Sequence, residues 1–80
     1  MNIDLLAFGI AKDILEGSSL SANFQEGLTV GELKQWLQNK YPAFERLRSF
    51  SIAVNEEYRS DDFVIQAKDE VVIIPPVSGG

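Results

Sequence analysis

Only one stretch of this 80-residue chain has the spacing of a long helix, and its apolar residues fall on one side of it. In Thr29–Pro42, "TVGELKQWLQNKYP", the residues Val30, Leu33, Trp36, Leu37 and Tyr41 recur at three- and four-residue intervals and form a single stripe. Thr29 and Glu32 open it as a capping box, each side chain placed to bond the other residue's backbone N–H. Pro42 closes it, because proline disfavours the α region in the residue before it. A helix with one apolar stripe must bury that stripe against another layer. The rest of the chain offers mainly short extended segments, so the other layer is a sheet. A stripe containing a tryptophan also resembles a cofactor box, but burial on the sheet accounts for every residue in it.

The extended segments are readable by alternation. Asn2–Phe8 sets Ile3, Leu5 and Ala7 on one face and Asp4, Leu6 and Phe8 on the other. "AKDILEG" is a short helical turn closed by Gly17. "SLSANF" alternates Leu20, Ala22 and Phe24 on one face as a second strand, and "EGL" turns the chain toward the helix. Beyond the helix, "AFERL" reads as another short helical turn. "SFSIAVN" alternates Phe50, Ile52 and Val54 and ends at Asn55, a good turn residue. "EEYRSDD" reads as a polar connection carrying one aromatic, Tyr58. After "FVIQ", the "AKDE" segment turns the chain into a last strand, "VVIIPPV". The order is strand, strand, long helix, then two or more strands: an α+β domain with one main helix on one sheet.

Composition narrows the chemistry. The chain has no cysteine, hence no disulfide, thiolate metal site or thiol nucleophile. It has no histidine, the usual general base near neutral pH. No metal site, bound cofactor or unaided catalysis is expected. Twelve acidic residues against seven basic ones give a net charge of −5, which argues against nucleic acid, whose phosphates demand a basic stripe. No apolar run approaches the ~20 residues that span a bilayer, and no signal segment is visible, so the expected location is cytoplasmic.

The last strand carries the functional signal. Along Val71–Ile74 successive side chains alternate faces, so one pair meets the helix and the other points away from it, as Leu6 and Phe8 do. An apolar sheet face left open on a small domain marks a partner surface. Phe8, Tyr58 and Ile74 are the candidate docking residues. The competing reading is that the short helical turns cover this face. After the strand comes "PPVSGG", which divides the chain into a folded body, residues 1–74, and a tail, residues 75–80. Pro75 and Pro76 hold the base of the tail extended and lower the entropy lost on insertion into a partner. Val77, Ser78 and Gly79 continue it, and the glycines lack the Cβ that would block a narrow channel. At ~3.1–3.5 Å per residue, six residues reach about 20 Å.

Four stretches, "LLAFGIAKDILEG", "LTVGELKQWLQNKYP", "IAVNEEY" and above all "DEVVIIPPVSGG", resemble the MoaD-type small subunits of molybdopterin synthase. The likeness runs along essentially the whole chain. It implies a ubiquitin-like β-grasp fold, with a mixed sheet of four to five strands packed on the helix. It also implies a reactive C-terminus. An ATP-dependent activating enzyme (MoeB-type) adenylates the Gly80 carboxylate, a sulfur donor protein converts it to a thiocarboxylate, and a large synthase subunit (MoaE-type) receives the tail in a heterotetramer. There the sulfur passes to cyclic pyranopterin monophosphate to build the dithiolene of molybdenum cofactor biosynthesis. ATP belongs to the activating enzyme and not to this chain. The "NEEYRSDD" stretch is the natural place for attraction to a basic partner. One departure is Lys68, where such chains often carry glycine before the Asp-Glu pair; it leaves the geometry of that turn open. The rival readings are a ThiS-type carrier for thiamin thiazole, a ubiquitin-related modifier or tRNA-thiolation carrier, and a non-reactive β-grasp interaction module.

Overall fold

A computed structural model describes residues 1–47 and 50–76 of the chain. In order, it contains β1 (Asn2–Ala7), α1 (Ile10–Leu15), β2 (Ser19–Asn23), α2 (Val30–Lys40), a short 3-10 helix (Pro42–Arg46), β3 (Ser51–Val54), β4 (Glu57–Tyr58) and β5 (Val71–Ile74). The sheet order is β2-β1-β5-β3-β4. β1 and β5 pair in parallel at its centre, and every other pairing is antiparallel. The sheet is therefore mixed, and the helix-bearing crossover links its two halves. Among the described residues no helix is long and apolar enough to cross a membrane.

One buried cluster joins the sheet to α2. Ile3, Leu5, Ile52, Val54, Val71 and Ile73 from the strands meet Val30, Leu33 and Leu37 from the helix, each no more than 1% exposed. Burying a large aliphatic side chain contributes roughly 1.5–3 kcal/mol, so these residues supply most of the driving force. Phe44 of the 3-10 helix and Phe50 close the far end, with ring centroids 5.0 Å apart. Trp36 and Tyr41 lie at the margin of the stripe and are only half-buried; Trp36 packs edge-on against Phe24, centroids 4.9 Å apart.

The helix start shows how its backbone donors are satisfied. The Thr29–Glu32 capping box is formed, with the Thr29 N–H donating to Glu32 Oε1 at 2.9 Å. The N–H groups of Val30 and Gly31, which have no partner inside the helix, donate to the carbonyls of Phe63 and Asp61, both at 2.9 Å. That brings Asp61 so close that a Cβ on Gly31 would lie 3.1 Å from Asp61 Cβ and 3.3 Å from its carbonyl oxygen. A side chain at position 31 would require Asp61 to give way by a few tenths of an ångström.

The structure revises several sequence expectations. The "EEYRSDD" connection is not wholly irregular: Glu57–Tyr58 pairs with Val54 and Ala53 as the edge strand β4. The hairpin loop is two residues, Asn55 and Glu56, at φ 53° and 70°. Such primed turns match the twist of the flanking strands, which a two-residue strand is too short to advertise by alternation. α1 ends with Glu16, not Gly17, in the left-handed region at φ 60°. The Gly17 N–H then reaches the Lys12 carbonyl and the Glu16 N–H that of Asp13, a Schellman arrangement that recovers two end carbonyls. Lys68 does not adopt positive φ. The turn it occupies is instead held by Asp69, whose carboxylate accepts the Gln66 N–H at 2.7 Å and the Asn55 side-chain amide at 2.9 Å. β2 stops at Asn23, one residue short of Phe24, and β3 starts at Ser51, after Phe50.

Candidate functional site

The face of the sheet opposite α2 carries an unbroken apolar row. Leu6 on β1 lies beside Val72 on β5, Val72 opposite Ala53 on β3, and Ala53 opposite Tyr58 on β4. Residues paired across strands project to the same side, so these four side chains line up over about 14 Å. Leu6 and Val72 are half-buried, Ala53 is buried, and Tyr58 at the edge is 69% exposed. The next row adds Ile74, opposite Ser51, and Phe8, which follows the Ala7–Ile73 pair and is 60% exposed. The short helices do not cover this face. α1 buries Ala11 in the main core and packs Ile14 and Leu15 against it, on the α2 side.

β5 leads directly into the root of the tail. Its last residue, Ile74, is followed by a half-buried Pro75 and an exposed Pro76. Pro75 lies against the corner between β1 and α1: a Cβ on Gly9 would stand 3.5 Å from Pro75 Cγ. Gly9 has φ 57° and ψ −136°. Its neighbours Phe8 and Ile10 are both exposed, Ile10 to 49%, so the tail root is flanked by apolar side chains. Ile10 precedes the "AKDILEG" turn read from the sequence, and nothing in its spacing marks it for the surface; the glycine between two large apolar residues is the signal that locates this corner. Val77, Ser78, Gly79 and Gly80 lie outside the described residues.

The acidic stretch that includes and follows β4 is partly occupied with its own neighbours. Glu57 pairs with Arg59 at 2.6 Å and Asp61 with Lys34 at 2.9 Å. The Arg59 guanidinium also sits 4.7 Å over the Phe63 ring. At such exposure these pairs stabilise the fold by no more than about 1 kcal/mol each. Asn55 ties this stretch to the lead-in of β5: its side chain donates to Asp69 Oδ1 and accepts the Glu70 N–H, both at 2.9 Å. Among the described residues no polar or charged side chain is buried, and no three acidic, histidine or cysteine residues gather where a metal could bind. A small cavity between the β2–α2 loop and α2 is lined by Phe24, Leu28 and Trp36, with Glu26 and Glu32 among its polar residues. The described surface thus offers an exposed apolar sheet face and, beside it, the root of the tail.

Residues 5–80 match the sequence profile of the ThiS family. The molybdopterin synthase sulfur carrier subunit of Arabidopsis thaliana is 36% identical over 100% of this chain and 84% of its own length. A putative subunit 1 of molybdopterin converting factor from Pyrococcus furiosus superposes with a TM-score of 0.85 at 21% identity, covering 96% of this chain and 99% of that one. The complex of subunits 1 and 2 of molybdopterin-converting factor from Helicobacter pylori contains a chain that gives a TM-score of 0.68 at 26% identity, with both chains fully covered. The ubiquitin-like β-grasp fold expected from the sequence is the observed one.

Proposed function

Because the chain belongs to the ThiS family and, within it, to the molybdopterin synthase sulfur carrier subunits, we propose that its tail is a covalent sulfur carrier whose terminal atom is the Gly80 carboxylate. A carboxylate is a poor electrophile, so it must first be activated. One of its oxygens attacks the α-phosphate of ATP in an activating enzyme, pyrophosphate leaves, and an acyl-adenylate forms. A sulfide equivalent from a donor protein attacks the acyl carbon and AMP leaves, giving a thiocarboxylate. That sulfur is a good nucleophile, and the large synthase subunit brings it to cyclic pyranopterin monophosphate. The observation that carries this reading is the position of Pro75–Pro76, leaving the middle strand of the sheet beside an uncovered apolar face. The open face supplies the grip and the tail supplies the reach. The Helicobacter pylori complex of subunits 1 and 2 supports a large-subunit partner. A heterotetramer working in the cytoplasm belongs to the same proposal.

The direct test is intact-mass analysis after incubation with an activating enzyme, ATP and a sulfur donor. The expected gain is that of one oxygen replaced by sulfur at the C-terminus. A chain extended by one residue beyond Gly80 should lose most of its adenylation, because its one terminal carboxylate then lies about 3.3 Å beyond the position of the Gly80 carboxylate. Its melting temperature should match the wild type. Normal adenylation of the extended chain would sink the reading.

A further inference from the structure

We propose that Gly9 is a positioning residue for the tail, its backbone conformation fixing the corner on which Pro75 rests and hence the direction in which the chain leaves the sheet. The inference builds on the sulfur-carrier reading above and adds a residue outside the tail to it. At φ 57° and ψ −136° Gly9 occupies a region closed to L-residues. Space does not demand the glycine, since it is exposed and the nearest atom to a Cβ there is Pro75 Cγ at an ordinary 3.5 Å. The angle demands it. The corner is also fastened: the Phe8 and Gly9 carbonyls accept the N–H groups of Ala11 and Lys12, both at 3.1 Å, so rotating Gly9 disturbs the entry to α1.

The sheet makes this corner the tail's neighbour. β1 and β5 are adjacent and parallel, and their last pair is Ala7 with Ile73. The two strands therefore leave the sheet side by side, β1 into Gly9 and β5 into Pro75. An L-side chain at position 9 relaxes the backbone toward an allowed region, and Pro75, in contact with it, loses its seat. A displacement of about 1 Å at a reacting centre can lower a positioned reaction on the order of a hundredfold. Gly9 sets the aim of the tail, whereas the open face sets how firmly the carrier docks.

The experiment separates these roles with synthetic chains: wild type, Gly9→Ala, the same position carrying D-alanine, and Pro75→Ala. Each is assayed for ATP-dependent adenylation by an activating enzyme, resolving kcat from KM, and for thermal melting. A D-residue adopts this conformation without strain. Gly9→Ala should lower kcat about tenfold to a hundredfold while changing KM by less than about threefold, and D-alanine should restore kcat to within about threefold of wild type. Pro75→Ala should lower kcat with unchanged melting, which keeps the test decisive if Gly9→Ala unfolds. A rise in KM alone for Gly9→Ala, a D-alanine chain as slow as the L-alanine one, or a fully active Pro75→Ala would each overturn the proposal. A wild-type chain that is never adenylated would instead overturn the carrier reading and this inference with it.

Discussion

Ile73 and Ile74 are neighbours in sequence, identical in chemistry, and belong to the same central strand, yet they do opposite jobs. Ile73 is completely buried beneath α2, whereas Ile74 lies half-buried on the uncovered face beside the tail root. The sheet presents two apolar faces, and the described residues cover only one of them. Strand alternation divides one run of four aliphatic residues between the core and the open face that we propose meets another protein. A core residue is read by what its loss does to stability, a docking residue by what its loss does to binding.

The largest expected effect is on the folded side of that division. Ile73→Ala should destabilise the domain by about 2–5 kcal/mol, a large share of the roughly 4–12 kcal/mol available to a chain this size. Ile74→Ala should cost less than about 1 kcal/mol, since the residue is already half in water. Chemical denaturation of both variants checks this; equal losses would erase the distinction between the faces. On the docking side, Phe8→Ala or Ile74→Ala should weaken binding of a large synthase subunit about tenfold or more, measured by titration calorimetry. Unchanged binding with a collapsed melting temperature would move these residues into the core.

Two smaller predictions sharpen the contrast between glycines kept for space and residues kept despite their backbone angle. Gly31→Ala should destabilise by about 1 kcal/mol, although helix propensity alone predicts a gain of similar size. Asp61 is held near Gly31 by the backbone hydrogen bond and the Lys34 ion pair and cannot retreat freely. A stabilised variant would show that it can. Glu56→Gly should stabilise by about 0.5–1 kcal/mol, because glycine after Asn55 suits a turn whose central residues are both left-handed. A lower melting temperature would mean that the Glu56 side chain contributes something the geometry does not reveal.

The sequence makes the long helix, its capping box, the alternation of β1 and β5 and the open face legible because each rests on local periodicity. Three features were out of its reach for a physical reason. β4 is two residues long, too short for alternation to exist. The left-handed end of α1 falls on Glu16 when glycine stands next to it, because the Schellman hydrogen bonds fix the position and a cost of about 1 kcal/mol is tolerated. The turn at Lys68 depends on Asp69 and on Asn55, fourteen residues away, a contact that no local pattern encodes. Around the candidate site, the placement of Phe8, Tyr58 and Ile74 on one side of the sheet follows from alternation, but the Gly9 corner required the parallel pairing of β1 with β5.

That same parallel pairing has a mechanical consequence. The tail grows from the strand in the middle of the sheet, clasped by β1 on one side and β3 on the other, not from an edge. A load drawing the tail out of a partner acts along β5. It therefore shears the hydrogen bonds on both flanks together, where a load across an edge strand would peel them away singly. The body is built to resist a pull on its end, and on the carrier reading proposed above that is the load met each time the tail leaves a partner.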